Sequence, residues 1–173
     1  IGMNRRLKKS PFYLKPFVKE EYKRLIKYEN KMFKHFDHKI IISDQDKEYI
    51  AHQNTDEIEV IANGIDFNYW TPSPSNKKYD VLFTGNMGYP PNIEGAQYIV
   101  NEILPILMKS RPTIQILICG KSPSGAVKSL ANKNVTVSGW VPDIRDAYNS
   151  SRVFLAPMNL GSGLQNKLLE AMS

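Results

Sequence analysis

The sequence predicts an α/β fold in which a parallel sheet is flanked by helices and is preceded by a shorter α/β segment. Three observations carry this. From residue 79 onward, four short apolar runs alternate with stretches of helical period. Each run leads into a loop that contains glycine, and a Pro- and Ser-rich stretch, "FNYWTPSPSNKKY", separates this regular part from everything before it.

The elements follow in order. Between Pro16 and Phe36, Phe17, Tyr22, Leu25, Ile26, Met32 and Phe33 recur near helical spacing among many lysines, which predicts an amphipathic helix over 16–36. "HKIIIS" reads as a short strand, "DQDKEYIAHQ" as a helix capped by Ser43 or Asp44, and "IEVIANGID" as a strand running into an Asn-Gly turn. After the linker come a strand at 79–85, a helix at 92–110 interrupted by Pro105, and a strand at 113–120. A short helix near 124–131, a strand at 134–140, the helix "IRDAYNSS", a strand at 152–158 and a final helical unit complete the chain. Strands and helices alternating at this spacing give a Rossmann-like parallel sheet with right-handed crossovers.

With 42% hydrophobic and 23% charged residues, the composition is that of a globular protein, and no apolar run reaches the ~18–20 residues of a membrane span. Nothing at the start resembles a signal peptide, so the expected location is cytoplasmic. The lone Cys119 sits in "IQILICG" and reads as a small buried hydrophobe. His35, His38 and His52 lack metal-ligand spacing, so no metal is expected. Residues 1–39 hold 12 Lys/Arg against 4 Asp/Glu, so the net charge of +6 belongs to the first segment. That segment reads as a packed helix with a solvated basic face, as a helix on an anionic membrane surface, or, least well, as a nucleic-acid contact.

An open parallel sheet binds ligands outside the carboxyl ends of its strands. Here those ends read "TGNMGYPPN", "CGKSPSG", "SGWVPD" and "PMNLGSG". In the last, Ser162 stands three residues before Gln165, a capping-box spacing that starts a helix at Gly163 and leaves its first N–H groups open to an anion. Leu164, Leu168, Ala171 and Met172 then form the buried face, while Gly163, Lys167 and Glu170 share another. A diphosphate held by the N–H groups and Lys167, with Glu170 accepting from ribose hydroxyls, fits this spacing. So does a plain surface Lys–Glu pair worth about 0.2–0.5 kcal/mol. A dinucleotide dehydrogenase needs a glycine fingerprint after the first strand, and "TGNMGY" lacks its register.

"GSGLQNKLLEAMS", preceded by "VFLAPMNL" and "VTVSGWVPDIRDAYNSS", resembles the donor-binding half of the retaining glycosyltransferases of family 4, also called glycosyl transferases group 1, which have the GT-B fold. "VLFTGNMGYPPNIEGAQYIVNEILPIL" resembles the opening strand and helix of that half, and "IANGID" the hinge between GT-B domains, with Ala62 where proline is usual. The resemblance covers residues 38–173. It implies that residues 1–62 are the end of an acceptor-side domain, 63–78 a hinge, and 79–173 a truncated donor-binding domain. The chain would then be a central fragment, inactive alone.

The same resemblance assigns Glu170 to the ribose, Lys167 to the diphosphate, and the Ser162, Gly163 and Leu164 backbone to the loop beneath it. Ser162 replaces a glutamate that elsewhere reaches the donor sugar. Gly85 and Asn86 stand where relatives carry nearby basic residues, and Trp140 and Val141 lie beside the base. The implied reaction transfers a sugar, with retention, from a nucleotide-diphosphate sugar to an acceptor hydroxyl in bacterial surface-glycan synthesis. It relies on stabilising the departing diphosphate and needs no cofactor or metal. The implied partners are the nucleotide-sugar donor and a glycan or lipid-linked acceptor, with peripheral membrane contact through the basic helix and no nucleic acid. The other reading is a non-catalytic nucleotide-binding module held at a membrane by that helix.

Overall fold

The computed structural model describes residues 2–48, 50, 55–158 and 164–173. Apart from Leu164, which groups with the first, the described residues divide between Asn63 and Gly64 into two compact units. The first contains α1 (Gly2–Lys9), α2 (Lys15–Phe33), β1 (Lys39–Ile41), α3 (Asp44–Glu48), a 3-10 turn at Thr55–Glu57 and β2 (Ile58–Val60). Strands β1 and β2 pair in parallel, with Lys39 opposite Ile58. The Ser43 hydroxyl accepts from the Asp46 N–H at 3.1 Å, so Ser43 is the cap of α3. The inner stripe of α2 runs Val18, Tyr22, Ile26 and Phe33, while Phe17 and Leu25, expected on the apolar face, point outward. Spacings of four and three residues select that stripe and leave Phe17 one position off it.

The second unit holds β3 (Tyr79–Thr84), α4 (Pro90–Tyr98), α5 (Leu104–Ser110), β4 (Ile116–Cys119), α6 (Gly125–Lys128), β5 (Val135–Gly139), α7 (Ile144–Asn149), β6 (Ser151–Phe154) and α8 (Asn166–Met172). Its four strands are all parallel, in the order β5-β4-β3-β6. Alternation along the strands makes two cores. Val81, Phe83, Ile116 and Ile118 face α4, α5 and α6, with Ala96, Ile99, Leu104 and Val127 packed over them. Leu82, Leu117 and Cys119 face the other way, against Ala147 of α7. The thiol of Cys119 is buried as expected, and burial pushes its pKa up.

The chain first moves outward from β3 to β4 to β5, then returns across the sheet to β6. Keeping each crossover right-handed puts α7 on the face opposite α4–α6. Asp143 caps α7, accepting from the Arg145 N–H at 2.9 Å, and the Arg145 guanidinium lies 4.1 Å from the Tyr69 ring centroid. The stretch read as a linker is therefore laid along α7. The Asn149 side chain accepts from the Ser73 N–H, and Trp70 packs edge-on against Tyr148.

The predicted break at Pro105 takes the form of a π-helical segment, Ile99–Ile103, between α4 and α5. Proline cannot donate to the carbonyl one turn back, and the Leu104 N–H instead reaches the Ile99 carbonyl, five residues back. Pro90 and Pro91 fill the first helical positions of α4, where no donor is needed.

Two strand-end glycines approach closely. Gly120 has φ +144°, and a Cβ there would overlap the Gly85 carbonyl oxygen. Only glycine meets both demands. Gly120→Ala is expected to destabilise the chain by about 2 kcal/mol or more, read as a lower urea midpoint with an unchanged slope.

Candidate donor site at the strand-order reversal

The reversal of strand order lies between β3 and β6, and the crevice at their carboxyl ends is the place where such sheets receive ligands. Thr84 ends β3, and Gly85 and Asn86 follow it. Asn92, at the start of α4, is 8% exposed; its amide donates to the Asn86 carbonyl at 3.0 Å. Gly85 is required beside it, because a Cβ there would lie 2.7 Å from Asn92 Nδ2.

The helix that supplies Lys167 and Glu170 begins later than expected. Gln165 is its N-cap, with φ −92° and ψ 100° and no side-chain cap bond, and the first helical residue is Asn166. A capping box would need Gln165 inside the helix, so the expected start at Gly163 is corrected to Asn166. Ser162 and Gly163 lie outside the described residues, and Leu164 is non-helical and half-buried.

The orientation of α8 also differs from the expected one. Met172 is 82% exposed and Leu168 is exposed too, while Lys167, Glu170 and Ala171 are half-buried. The polar groups turn inward because they have partners there. Lys167 Nζ donates to the Thr84 carbonyl at 3.2 Å and to Asn92 Oδ1 at 2.9 Å, lies 3.6 Å from the Met158 sulfur, and sits 4.6 Å from the Phe83 ring centroid. Each of these acceptors is neutral. Among the described residues no ion pair joins Lys167 to Glu170, so the surface-pair reading of their spacing does not describe them. Burial lowers the Lys167 pKa from its ordinary value to about 8, against an opposing pull from the Glu170 charge.

Glu170 is anchored separately. Its Oε2 accepts from the Tyr148 hydroxyl at 2.9 Å, and that hydroxyl also lies 3.0 Å from Thr84 Oγ1. Glu170 lines a cleft of about 220 Å³ with Gly64, Ile65, Asp66, Trp70, Asn166 and Leu169. Thus Lys167, Glu170, Gly85 and Asn86 gather at the end of β3. Trp140 and Val141 follow β5, two strands away. Trp140 is 69% exposed at the sheet's carboxyl end, whereas Val141 packs into the core on the α7 face. Among the described residues no group of three or more His, Cys, Asp or Glu could hold a metal ion.

Sequence reading missed Tyr148 and Asn92. Asn92 left a signal, a polar residue opening a helix whose inner face is otherwise apolar. Tyr148 left none, since its role depends on a contact with a residue 22 positions away.

The sequence model described as glycosyl transferases group 1 matches residues 78–173. A curated relative, the uncharacterized 44.6 kDa protein in the cps region of Klebsiella pneumoniae, is 27% identical over 179 residues, covering 87% of this chain and 46% of its own. The chain thus spans about half the length of that relative. Two solved structures share the fold. TarM matches with a TM-score of 0.66 at 15% identity, over 88% of this chain and 30% of its own. Anabaena Alr3699/HepE, in complex with UDP and glucose, matches with a TM-score of 0.67 at 17% identity, over 85% and 45%. With more than half of its length matched by that model, the chain belongs to the glycosyl transferases group 1.

Proposed function

We propose that this chain carries the donor side of a family 4 GT-B glycosyltransferase that moves a sugar, with retention, from a nucleotide-diphosphate donor to an acceptor hydroxyl. In this reading residues 1–62 close the acceptor-side domain, 63–78 form the hinge and 79–173 bind the donor. One observation carries it: at the strand-order reversal, the acceptors that a half-buried ammonium bonds among the described residues are all neutral, and an anchored carboxylate lies beside it. Such an ammonium gains counter-charge when a diphosphate arrives, and it stabilises that diphosphate as it departs. Glu170 keeps acceptor capacity for ribose hydroxyls. Gly85 and Asn86, at the end of β3, stand on the phosphate side, and exposed Trp140 offers a face to the base. The UDP and glucose bound by HepE make UDP-hexoses the first donors to try, and the cps-region relative favours a surface-polysaccharide acceptor.

The acceptor side has its own observation. Phe12, Tyr13 and Phe17 are 84%, 61% and 73% exposed around the α1–α2 turn, next to Lys15 and Lys19. Aromatic side chains among lysines suit an anionic lipid surface and a lipid-linked acceptor. Among the described residues no helix is long and apolar enough to cross a membrane.

Titration calorimetry with UDP, GDP and their hexose conjugates is expected to find at least one binder. Lys167→Ala and Glu170→Ala should each weaken it about ten-fold or more; unchanged affinity in both variants rejects the site. Because Lys167 loses its charge above about pH 8, affinity for the binder should fall between pH 7 and 9 and flatten in Lys167→Arg. In flotation assays the chain should follow vesicles containing phosphatidylglycerol and not neutral vesicles, and Phe12→Ser with Phe17→Ser should abolish this. A chain that binds vesicles and nucleotide yet, joined to its acceptor domain, transfers no sugar is instead a binding module.

A further inference from the structure

Tyr148 is the one phenol among the described residues whose hydroxyl joins β3, α7 and α8. It reaches the end of β3 because the return crossover puts α7 on the second face. Its ring is fixed there, 5.6 Å from the Trp70 ring at 90° and 5.4 Å from the Phe154 ring. The hydroxyl has three neighbours: Glu170 Oε2 at 2.9 Å, Thr84 Oγ1 at 3.0 Å and the Lys167 carbonyl at 3.3 Å.

A phenol has one proton to give. The carboxylate can only accept, so the shorter, charge-assisted bond takes that proton and the Thr84 hydroxyl donates back to the phenol oxygen. Burial and the adjacent Glu170 charge push the phenol pKa up, so it remains a donor throughout the neutral range. Oε2 is thereby committed, and among the described residues Oε1 has no protein hydrogen-bond partner. Without this bond, a glutamate on a short and partly exposed helix would sample several rotamers.

We propose that Tyr148 is a positioning residue that fixes the Glu170 carboxylate so that its open oxygen selects nucleotides with an intact ribose diol. This rests on the reading of Glu170 as the ribose ligand. A fixed acceptor rejects a ligand that lacks the matching hydroxyls, because the docked nucleotide displaces water from the oxygen and leaves it unpaired. A mobile carboxylate turns back to solvent and discriminates little.

The test compares UDP with 2′,3′-dideoxy-UDP by calorimetry, with GDP and its dideoxy form as a second pair, on the full chain and on Tyr148→Phe, Thr84→Val and Glu170→Ala. The chain should prefer the ribonucleotide about ten-fold or more. Tyr148→Phe keeps the ring and its packing, so the thermal midpoint should change little while the preference falls toward one through loss of ribonucleotide affinity. Thr84→Val should move the ratio the same way, less far, and covers the case in which Tyr148→Phe fails to fold. If Glu170→Ala abolishes the preference and both other variants retain it, the role of Tyr148 is overturned while the ribose reading stands. If Glu170→Ala retains the preference, or the chain shows none, the ribose reading itself falls and takes this inference with it.

Discussion

The reversal of strand order at β3 is the constraint on which the second unit depends. Because β3 has β4 on one side and β6 on the other, the strand order reverses there, the place where an open parallel sheet receives a ligand. The reversal also sends α7 to the far face, and only from there can the Tyr148 ring sit in the second core while its hydroxyl reaches Thr84. Handedness of the crossovers, a backbone property, thus decides which side chains meet at the carboxyl ends.

Electrostatics within the crevice are divided between two anchors. The ammonium of Lys167 is held by a backbone carbonyl, an amide oxygen and an aromatic face, contacts that orient it without cancelling its charge. The carboxylate of Glu170 is held by a phenol, a neutral partner. Had the two met as an ion pair, each would have satisfied the other and left little for a ligand. Their separate anchoring keeps opposite charges one helical turn apart on α8, a pattern suited to a ligand with an anionic end and a hydroxylated end.

Much of this architecture was legible in the chain itself. The apolar runs that lead into glycine-containing loops located all four strands of the second unit within a few residues, and Pro105 marked the helix irregularity. Ser43 and Asp44 marked the start of α3, where the hydrogen bond to the Asp46 N–H makes Ser43 the cap. The linker's composition gave its place but not its path, because Arg145 over Tyr69 and Trp70 against Tyr148 are contacts across some 76 and 78 residues. Periodicity misjudged α8: it assigns Leu168 and Met172 inward by hydrophobicity, whereas specific partners for Lys167 and Glu170 turn the helix the other way. Pattern arguments price all polar groups as solvent-seeking, so a site whose polar groups are inward is where they fail.

The π-helical segment bears on how the site could be re-engineered. Such a segment is an α-helix carrying one surplus residue, and each residue turns a helix by about 100°. Excising one position between Ile99 and Ile103 would restore an even ladder ahead of Pro105 and, because the widened turn already absorbs the surplus residue, would leave the Asn92 end and the Leu104 end nearly in phase. Tightening that turn with all five residues kept would instead rotate one end by about 100°, so that either the apolar side would lift off Phe83 or the amide that steadies Lys167 would swing away from the crevice. The widened turn therefore holds core and site in phase despite the surplus residue.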